Sequence, residues 1–542
     1  MKTSRIPRTI VSVLLFAWPG LTLAQELGTI DFPNSGAPGA QAPFIEGVKA
    51  LHSFQFDEAA VAFRAAQQAD PGFALAYWGE AMSYNHPLWA EQDTAAAQAV
   101  LETLAPEPVG RLAAAGLDKE KALLEAVEFL FYGSADKLER DVAYADAMAR
   151  AHARWPEDHE IATFYALSLL GTVRPGDTGF RRQAQAAAIV MEVFAENPEH
   201  PGAAHFIIHA FDDPEHAPLA LPAARVYASI APSATHALHM PSHIFVQLGM
   251  WEEVVESNVE AYRAAVEVNE RLNLPEGRSD FHSLSWLTYA NLMLGRFDAA
   301  KANVELARQA AERNPDSAGV RNGYLGMRAR YLLETEQWEA IPVDAAHAVV
   351  PSGAMPGMPA ATAGGDPWLF VAGVSAAKRG DVATADAVAA ALDSRRARTE
   401  ADGNAYGAKA VAILASEVEA LALLARGSHD AAIQAARHAA EIELTMATPS
   451  GPPDPIKPAL ELQGEILFAA GRAVEAVAAF EQSLLRTPKR TPSLLGLARA
   501  AAAAGDSSKA HQAYRELAST QGAAATSAAR REARDFLAGR VR

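Results

Sequence analysis

Apolar and small residues recur along most of this chain with the spacing of amphipathic helices. Two distant segments, 54–71 and 471–488, share five positions at offsets 0, 3, 7, 10 and 15. In chain order these positions are Phe56, Ala59, Phe63, Ala66 and Pro71 in the first segment, and Ala473, Ala476, Phe480, Ser483 and Pro488 in the second. Offsets of 3, 4 and 7 place side chains on one face of a helix. The pattern therefore predicts a helix with one buried face, repeated along the chain.

Partial copies of the same frame begin at five further glycines: Gly249, Gly295, Gly380, Gly427 and Gly505. In this frame a glycine ends one helix, small residues allow two helices to cross closely, and a proline ends the second helix. The frame resembles the second half of a tetratricopeptide (TPR) repeat. It predicts an all-α fold, a right-handed solenoid of αα-hairpins, with the first helices near 43–53, 57–69 and 73–85.

The first 24 residues have the features of a secretory signal peptide. Basic residues precede a short apolar run, Ile10 to Trp18, and the small residues Thr22 and Ala24 precede a cleavage site after Ala24. The apolar run is far shorter than the roughly 20 residues that cross a bilayer. This segment predicts a periplasmic or secreted protein.

Composition divides the rest of the chain into four parts. Residues 25–42 are predicted to be an irregular N-terminal arm, and residues 43–350 an N-terminal TPR-like array. Residues 351–367 are rich in proline, glycine and alanine, which is typical of a linker. Residues 368–542 are predicted to form a C-terminal TPR-like array.

The charge and the absence of cysteine exclude several classes of site. The net charge is −18, and no basic run follows the signal peptide, so neither nucleic acid nor an anionic membrane surface is an expected partner. No later apolar run is long enough for membrane insertion. The chain has no cysteine, so a metal site must use His, Asp, Glu, Met or backbone oxygen.

Histidines are concentrated in one segment, residues 200–243. Of the 16 histidines in the chain, this segment contains His200, His205, His209, His216, His236, His239 and His243. Two pairs, His205 with His209 and His239 with His243, have helical i,i+4 spacing, and the pairs lie one TPR length apart. Stacked repeats would bring these four imidazoles together around one ion, and imidazole ligands favour copper or zinc.

Other residues could extend this site. Asp212 and Asp213 could bind the metal or orient an imidazole from behind, and His216 and His236 could complete a second site. His282 is a further candidate ligand. Two interpretations without a metal stay open, namely a structural histidine cluster and a metal-free acid/base site.

Four blocks of the sequence resemble a family of exported bacterial TPR-repeat proteins. These blocks are HPGAAHFIIHAFDDPEHAPLAL, HALHMPSHIFVQLGMWEEVVESN, FALAYWGEAMS and FHSLSWLTYANLMLGR, and the resemblance covers roughly residues 43–310. It implies the fold and export rather than an activity. His52, His86 and His282 lie in neighbouring blocks and could face the same surface, although a single histidine in a helix is more often structural.

Two classes of function follow from these features. The first is an exported TPR-repeat protein that binds a transition metal through its histidine cluster and holds a protein or peptide partner in its concave groove. The second is a metal-dependent hydrolase or oxidoreductase with Asp212, Asp213 or Glu215 as a general base. A metal-free TPR scaffold is a third alternative. The sequence does not predict the oligomeric state.

Overall fold

The computed structural model describes residues 25–177, 179–272, 274, 280–341, 365–520 and 527–540. Within these ranges the regular secondary structure is almost entirely helical. Its strands are the two-residue β1 (Asn85–His86) and β2 (Glu91–Gln92), which pair antiparallel on either side of a short 3-10 helix, Pro87–Trp89. The predicted all-α fold of helical hairpins is confirmed. The predicted signal peptide, residues 1–24, lies outside the described residues.

The helices before the predicted linker pack against one another in chain order. They are α1 (Pro38–His52), α2 (Phe56–Ala69), α3 (Ala74–Met82), α4 (Thr94–Leu104), α5 (Pro108–Ala113), α6 (Asp118–Tyr132), α7 (Lys137–Arg154), α8 (His159–Leu170), α9 (Arg181–Glu196), α10 (Pro201–Ala210), α11 (Ala217–Ile230), α12 (Thr235–His239), α13 (Pro241–Gln247), α14 (Trp251–Leu272), α15 (Phe281–Met293), α16 (Phe297–Arg313) and α17 (Ala318–Thr335).

The helices after the predicted linker continue the same arrangement. They are α18 (Gly365–Lys378), α19 (Val382–Ala401), α20 (Ala405–Ala425), α21 (His429–Glu443), α22 (Ala459–Ala469), α23 (Ala473–Arg486), α24 (Thr491–Ala503), α25 (Ser507–Thr520) and α26 (Ala528–Leu537). Residues 351–364 of the predicted linker lie outside the described residues, and its last three residues are the first turn of α18. One cluster of buried apolar residues extends from Leu27 to Ala533.

The shared sequence frame corresponds to one repeated packing contact. Phe63 of α2 is buried between two glycines, and a Cβ atom added to Gly47 or Gly79 would lie 2.8 or 2.3 Å from its ring. Phe480 of α23 has the same environment, with a glycine sixteen residues to either side and the same two distances. Each phenylalanine therefore occupies the space that the missing side chains leave where helices cross.

The N-terminal arm is shorter than predicted. Residues 25–37 are irregular, but α1 begins at Pro38, inside the segment that the sequence assigned to the arm. Proline suits the first helical position because its fixed φ is helical and its missing N–H has no partner to lose. The arm packs against a later part of the chain, where the Thr29 amide donates a hydrogen bond to the Glu199 carbonyl at 3.0 Å.

The C-terminal helices also contact the N-terminal half directly. The buried guanidinium of Arg490 lies 2.8 Å from a carboxylate oxygen of Glu334 in α17 and 2.8 Å from one of Glu461 in α22. The hydroxyl of Thr491 donates to the Met293 carbonyl at the end of α15 over 2.7 Å. These contacts fix the start of α24 against α17 and the end of α15, which is one of the helices that carry histidines.

Candidate metal centre

Four short or well-capped helices position the clustered histidines. His205 and His209 lie one turn apart on α10, and His236 and His239 lie on α12. Pro241 is the first residue of α13, and His243 follows it in the first turn. His282 lies in the first turn of α15, whose N-terminus is capped by an aspartate side chain.

The first histidine group consists of His205, His209 and His236. Nε2 of His205 is 3.0 Å from Nε2 of His209 and 3.1 Å from Nε2 of His236. One nitrogen from each ring lies within 4.8 Å of the other two, as ligands of a single ion would. His205 is fully buried at the base of the group, whereas His209 and His236 are half-buried.

The second histidine group consists of His239, His243 and His282 and has the same form. Nε2 of His239 is 3.2 Å from Nε2 of His243 and 3.1 Å from Nε2 of His282. His239 is buried, and the other two rings are half-buried. Nitrogens bound at 2.0–2.1 Å around a tetrahedral ion lie about 3.3–3.4 Å apart, so both groups are close to the spacing that a metal requires.

Hydrogen bonds behind the rings determine which nitrogens carry protons. Nδ1 of His205 donates to the backbone carbonyl of His52 at 2.7 Å. Nδ1 of His243 donates to the carboxylate of Asp212 at 2.6 Å. In each neutral ring Nε2 is therefore left with a free lone pair that points into its group.

Asn258 fixes the remaining buried ring in the same way. Its side-chain amide donates to the Val254 carbonyl at 2.8 Å, so its oxygen is the atom that faces Nδ1 of His239 at 2.7 Å. Nδ1 of His239 must then carry the proton, and Nε2 has the lone pair. In the second group, two lone pairs thus face each other across 3.2 Å.

Burial keeps five of the six imidazoles in their neutral form. Burial lowers the pKa of His205 to about 3, and burial lowers the pKa of His282 to about 4 against the opposing effect of Asp280. Burial, reinforced by neighbouring imidazoles, also lowers the pKa of His209, His236 and His239 well below 6.5. Neutral imidazole is the form that binds metal ions.

A third cluster, the buried His–Glu group, consists of His52, Glu160 and His200. The Glu160 carboxylate lies 2.7 Å from Nε2 of His52 and 3.1 Å from Nε2 of His200. Burial raises the pKa of Glu160, but the two imidazoles beside it lower the pKa to about 2 overall. Nδ1 of His200 accepts the Ala203 amide, so its Nε2 holds a proton that points at Glu160. This group joins α1, α8 and the start of α10.

The structure divides the four histidines predicted to share one ion between two groups. His205 and His209 belong to one group and His239 and His243 to another, because each pair has a closer third imidazole on a neighbouring helix. The groups are nevertheless adjacent, since the ring centroids of His209 and His243 are 6.2 Å apart. His236 and His282, predicted as additional ligands, each complete a group.

The other candidate residues have different positions. His216 lies outside both groups, where Nδ1 is 2.9 Å from the Asp213 carboxylate and the ring packs against Phe180 and Phe211. Asp213 therefore orients His216 rather than a grouped histidine. Asp212 has the predicted orienting position behind His243.

Aromatic residues flank both groups, and sequence reasoning missed their role. The ring centroid of Phe54 is 4.4 Å from that of His205 and 5.7 Å from that of His209. The Trp286 ring lies 4.5 Å from His243 and 4.9 Å from His239. Trp286 follows His282 by four residues, and that helical spacing was the available signal.

Comparisons with known proteins add the following. No family model matches the chain, and no curated protein sequence matches it. Solved structures with similar helical architecture include yeast Tom70, which is 12% identical over 92% of this chain and 95% of that chain, with a TM-score of 0.27. A human IFIT1 dimer with m7Gppp-AAAA is 12% identical over 90% of each chain, with a TM-score of 0.32. The APC/C hetero-tetramer Cut9–Hcn1 is 12% identical over 92% of this chain and 95% of that chain, with a TM-score of 0.31. Likenesses of this size carry no information about function.

Among the described residues, no helix combines the length and the apolar character needed to span a membrane.

Proposed function

We propose that this protein is an exported helical-repeat protein that binds transition-metal ions, copper or zinc, in its two histidine groups. Export rests on the sequence of residues 1–24 alone. Metal binding is supported by the three convergent imidazole nitrogens in each group. Three-nitrogen sites of neutral imidazoles suit both metals, and copper is expected to bind more tightly than zinc.

The observation that carries the proposal is the pair of Nε2 atoms of His239 and His243. In the neutral form of both rings the proton lies on Nδ1, where an acceptor holds it, so the two Nε2 lone pairs face each other across 3.2 Å. A metal ion placed between them would bind both lone pairs. Burial keeps the pKa of His239 well below 6.5, so this ring is in the neutral form that binds a metal ion.

Elemental analysis tests the proposal. The full chain is purified from the periplasm without a histidine tag or added metal, and its copper and zinc contents are measured per chain. We expect about one ion for each three-histidine group. The double variant His205→Ala/His239→Ala, which removes the buried ligand of each group, should lose both ions.

A matched control keeps this experiment specific. His438 is an exposed histidine on α21, far along the chain from both groups, so His438→Ala should retain the full metal content. A metal-free wild-type protein that also takes up no copper or zinc on dialysis would refute metal binding. The chain would then be a helical-repeat scaffold with a structural histidine cluster.

A metal-dependent enzyme is the second candidate, and the number of ligands favours it. Each group supplies three imidazoles, which leaves a position for water or substrate, as in catalytic rather than structural metal sites. Asp212 and Asp213 do not fit the predicted role of general base, because each carboxylate holds the N–H of an imidazole. Glu215 is exposed.

Binding of a protein or peptide partner in the groove is supported only by the fold class. Arrays of helical hairpins present long surfaces that suit such partners. If a partner binds only when the metal is present, partner binding and the histidine groups serve one function. The test compares the partners that the wild-type protein and His205→Ala/His239→Ala retain. Identical partners for both proteins would separate the two roles.

A further inference from the structure

The two histidine groups are close enough to act as one centre. His209 of the first group and His243 of the second are in contact range, with ring centroids 6.2 Å apart on the neighbouring helices α10 and α13. Two ions bound here would be near neighbours.

The ligands are matched and carry no charge. Each group offers three Nε2 atoms, a buried one at the base and two half-buried ones, and neither group includes a carboxylate. Asp212 is behind His243 on the opposite ring nitrogen, and Asp280 caps α15 through Ser283. Two divalent ions would therefore hold four positive charges without an anionic protein ligand, which favours a shared anion between them.

The open positions are flanked by apolar rings rather than by acid or base groups. Phe54 lies against the first group and Trp286 against the second. Among the described residues near the rings, the carboxylates that would serve a hydrolytic reaction are engaged with imidazole N–H groups. A small ligand of low polarity that becomes an anion on binding fits these surroundings best.

We propose that the two histidine groups form one dinuclear copper centre that binds dioxygen between its ions. This rests on the proposed function, since it requires that both groups bind metal. In the reduced state each group holds one copper(I). Each copper gives one electron to dioxygen, so both become copper(II) and the oxygen becomes a bound peroxide, with no bond broken and no proton taken up. The peroxide supplies, as a shared anion, the negative charge that the neutral histidine ligands do not provide.

The test uses the full chain, freed of metal and reloaded with two equivalents of copper(I) without oxygen. After exposure to air we expect two copper ions per chain, almost no copper(II) signal in electron paramagnetic resonance because the two spins couple, and a new near-ultraviolet absorption band. Reduction should remove the band. Two ordinary copper(II) signals of full intensity, or no spectral change in air, would overturn the dinuclear centre.

Single-ligand variants distinguish this inference from the proposed function. His236→Ala and His282→Ala each weaken one group, so each should retain one copper, show a full signal for that ion and lose the oxygen band. His438→Ala should behave as wild type. Binding of two metal ions without coupling would overturn the dinuclear centre alone, whereas failure to bind any copper or zinc would overturn both proposals.

Discussion

The backbone carbonyl of His52 accepts a hydrogen bond from Nδ1 of His205 over 2.7 Å. Through this contact, the buried His–Glu group supports the first histidine group. The ring of His52 is held by the Glu160 carboxylate, which fixes the end of α1, and the carbonyl at that end selects the tautomer of His205. Glu160 therefore positions a proposed metal ligand that it does not touch.

Replacement of Glu160 should destabilise the fold and weaken the first group. Glu160→Ala removes the acceptor of two buried imidazole N–H groups, and we expect the free energy of unfolding to fall by about 3–5 kcal/mol. Copper content should fall by one ion because His205 loses its support. Urea unfolding and metal analysis measure the two effects.

The matched control is Glu267→Ala, which removes an exposed partner of Arg263 and should cost at most about 0.5 kcal/mol. If Glu160→Ala does not fold, Glu160→Gln keeps the volume and one acceptor, and the loss of copper is then measured on that protein. A loss of stability as small as that of the control would contradict the supporting role of Glu160.

Removal of the carboxylate behind His243 should weaken metal binding at the second group. Asp212→Ala leaves Nδ1 of His243 without its acceptor, so both ring orientation and tautomer are lost, and we expect about 10–100-fold weaker binding. Asp212→Asn keeps an acceptor oxygen and should lose less. Competition with a chelator of known affinity measures both.

The neighbouring Asp213 is the control for this prediction. Its carboxylate holds His216, which belongs to neither histidine group, so Asp213→Ala should leave metal affinity unchanged even if stability falls. Equal affinity in Asp212→Ala and the wild-type protein would show that His243 is not a ligand.

The sequence was sufficient to predict the helical repeat, because its packing is local. Phe63 and Phe480 contact glycines sixteen residues away on the neighbouring helices, so one spacing in the sequence encodes one contact. The start of α1 was predicted less well. Pro38 and Pro43 both fit early helical positions, and the pattern alone does not choose between them.

The histidine pairs could be predicted, and His236 and His282 were candidates for additional ligands, but the pair that each of them joins could not be predicted. The i,i+4 spacing places His239 and His243 on one face, as the structure has them. His282 joins them from 43 residues beyond His239, on α15, and only the packing of α15 against α14 and its neighbours decides that contact. The orienting role of Asn258 has no local signal for the same reason.

A side chain at Gly451 should disturb the second group from a distant part of the chain. A Cβ atom there would lie 2.4 Å from Trp286, which packs against His243 and His239. We expect Gly451→Ala to cost about 1–3 kcal/mol in unfolding free energy and to weaken metal binding at the second group only. Calorimetry and metal titration measure these effects.

The control is Gly326→Ala in α17, where a Cβ atom would meet nothing within 4 Å. This substitution should stabilise the protein by up to about 1 kcal/mol, since alanine favours helix over glycine. Similar behaviour of the two variants would mean that Trp286 moves freely and does not shape the centre.

The metal-free protein should lose stability as the pH falls below 6.5. The folded-state pKa is about 3 for His205 and about 4 for His282, both below the unfolded value of 6.5. The unfolded chain therefore binds more protons in this range, so the stability that these rings provide is complete above pH 6.5 and is lost on acidification. Each ring contributes up to about 1.4 kcal/mol per pH unit.

The decisive window is pH 6.5 to 5, where ordinary carboxylates remain largely ionised and histidines dominate the change. We expect the urea midpoint of chelator-treated protein to fall steeply there, and the fall to be shallower in His205→Gln/His282→Gln because neither replacement titrates. Bound metal competes with protons for the same nitrogens, so loaded protein should resist this acidification, and the low pKa values of His205 and His282 should delay release of the ions to a pH well below about 6. Equal slopes in the wild-type and double-variant proteins would mean that these rings titrate in the fold as they do in the unfolded chain, and would contradict the low pKa values that burial gives them.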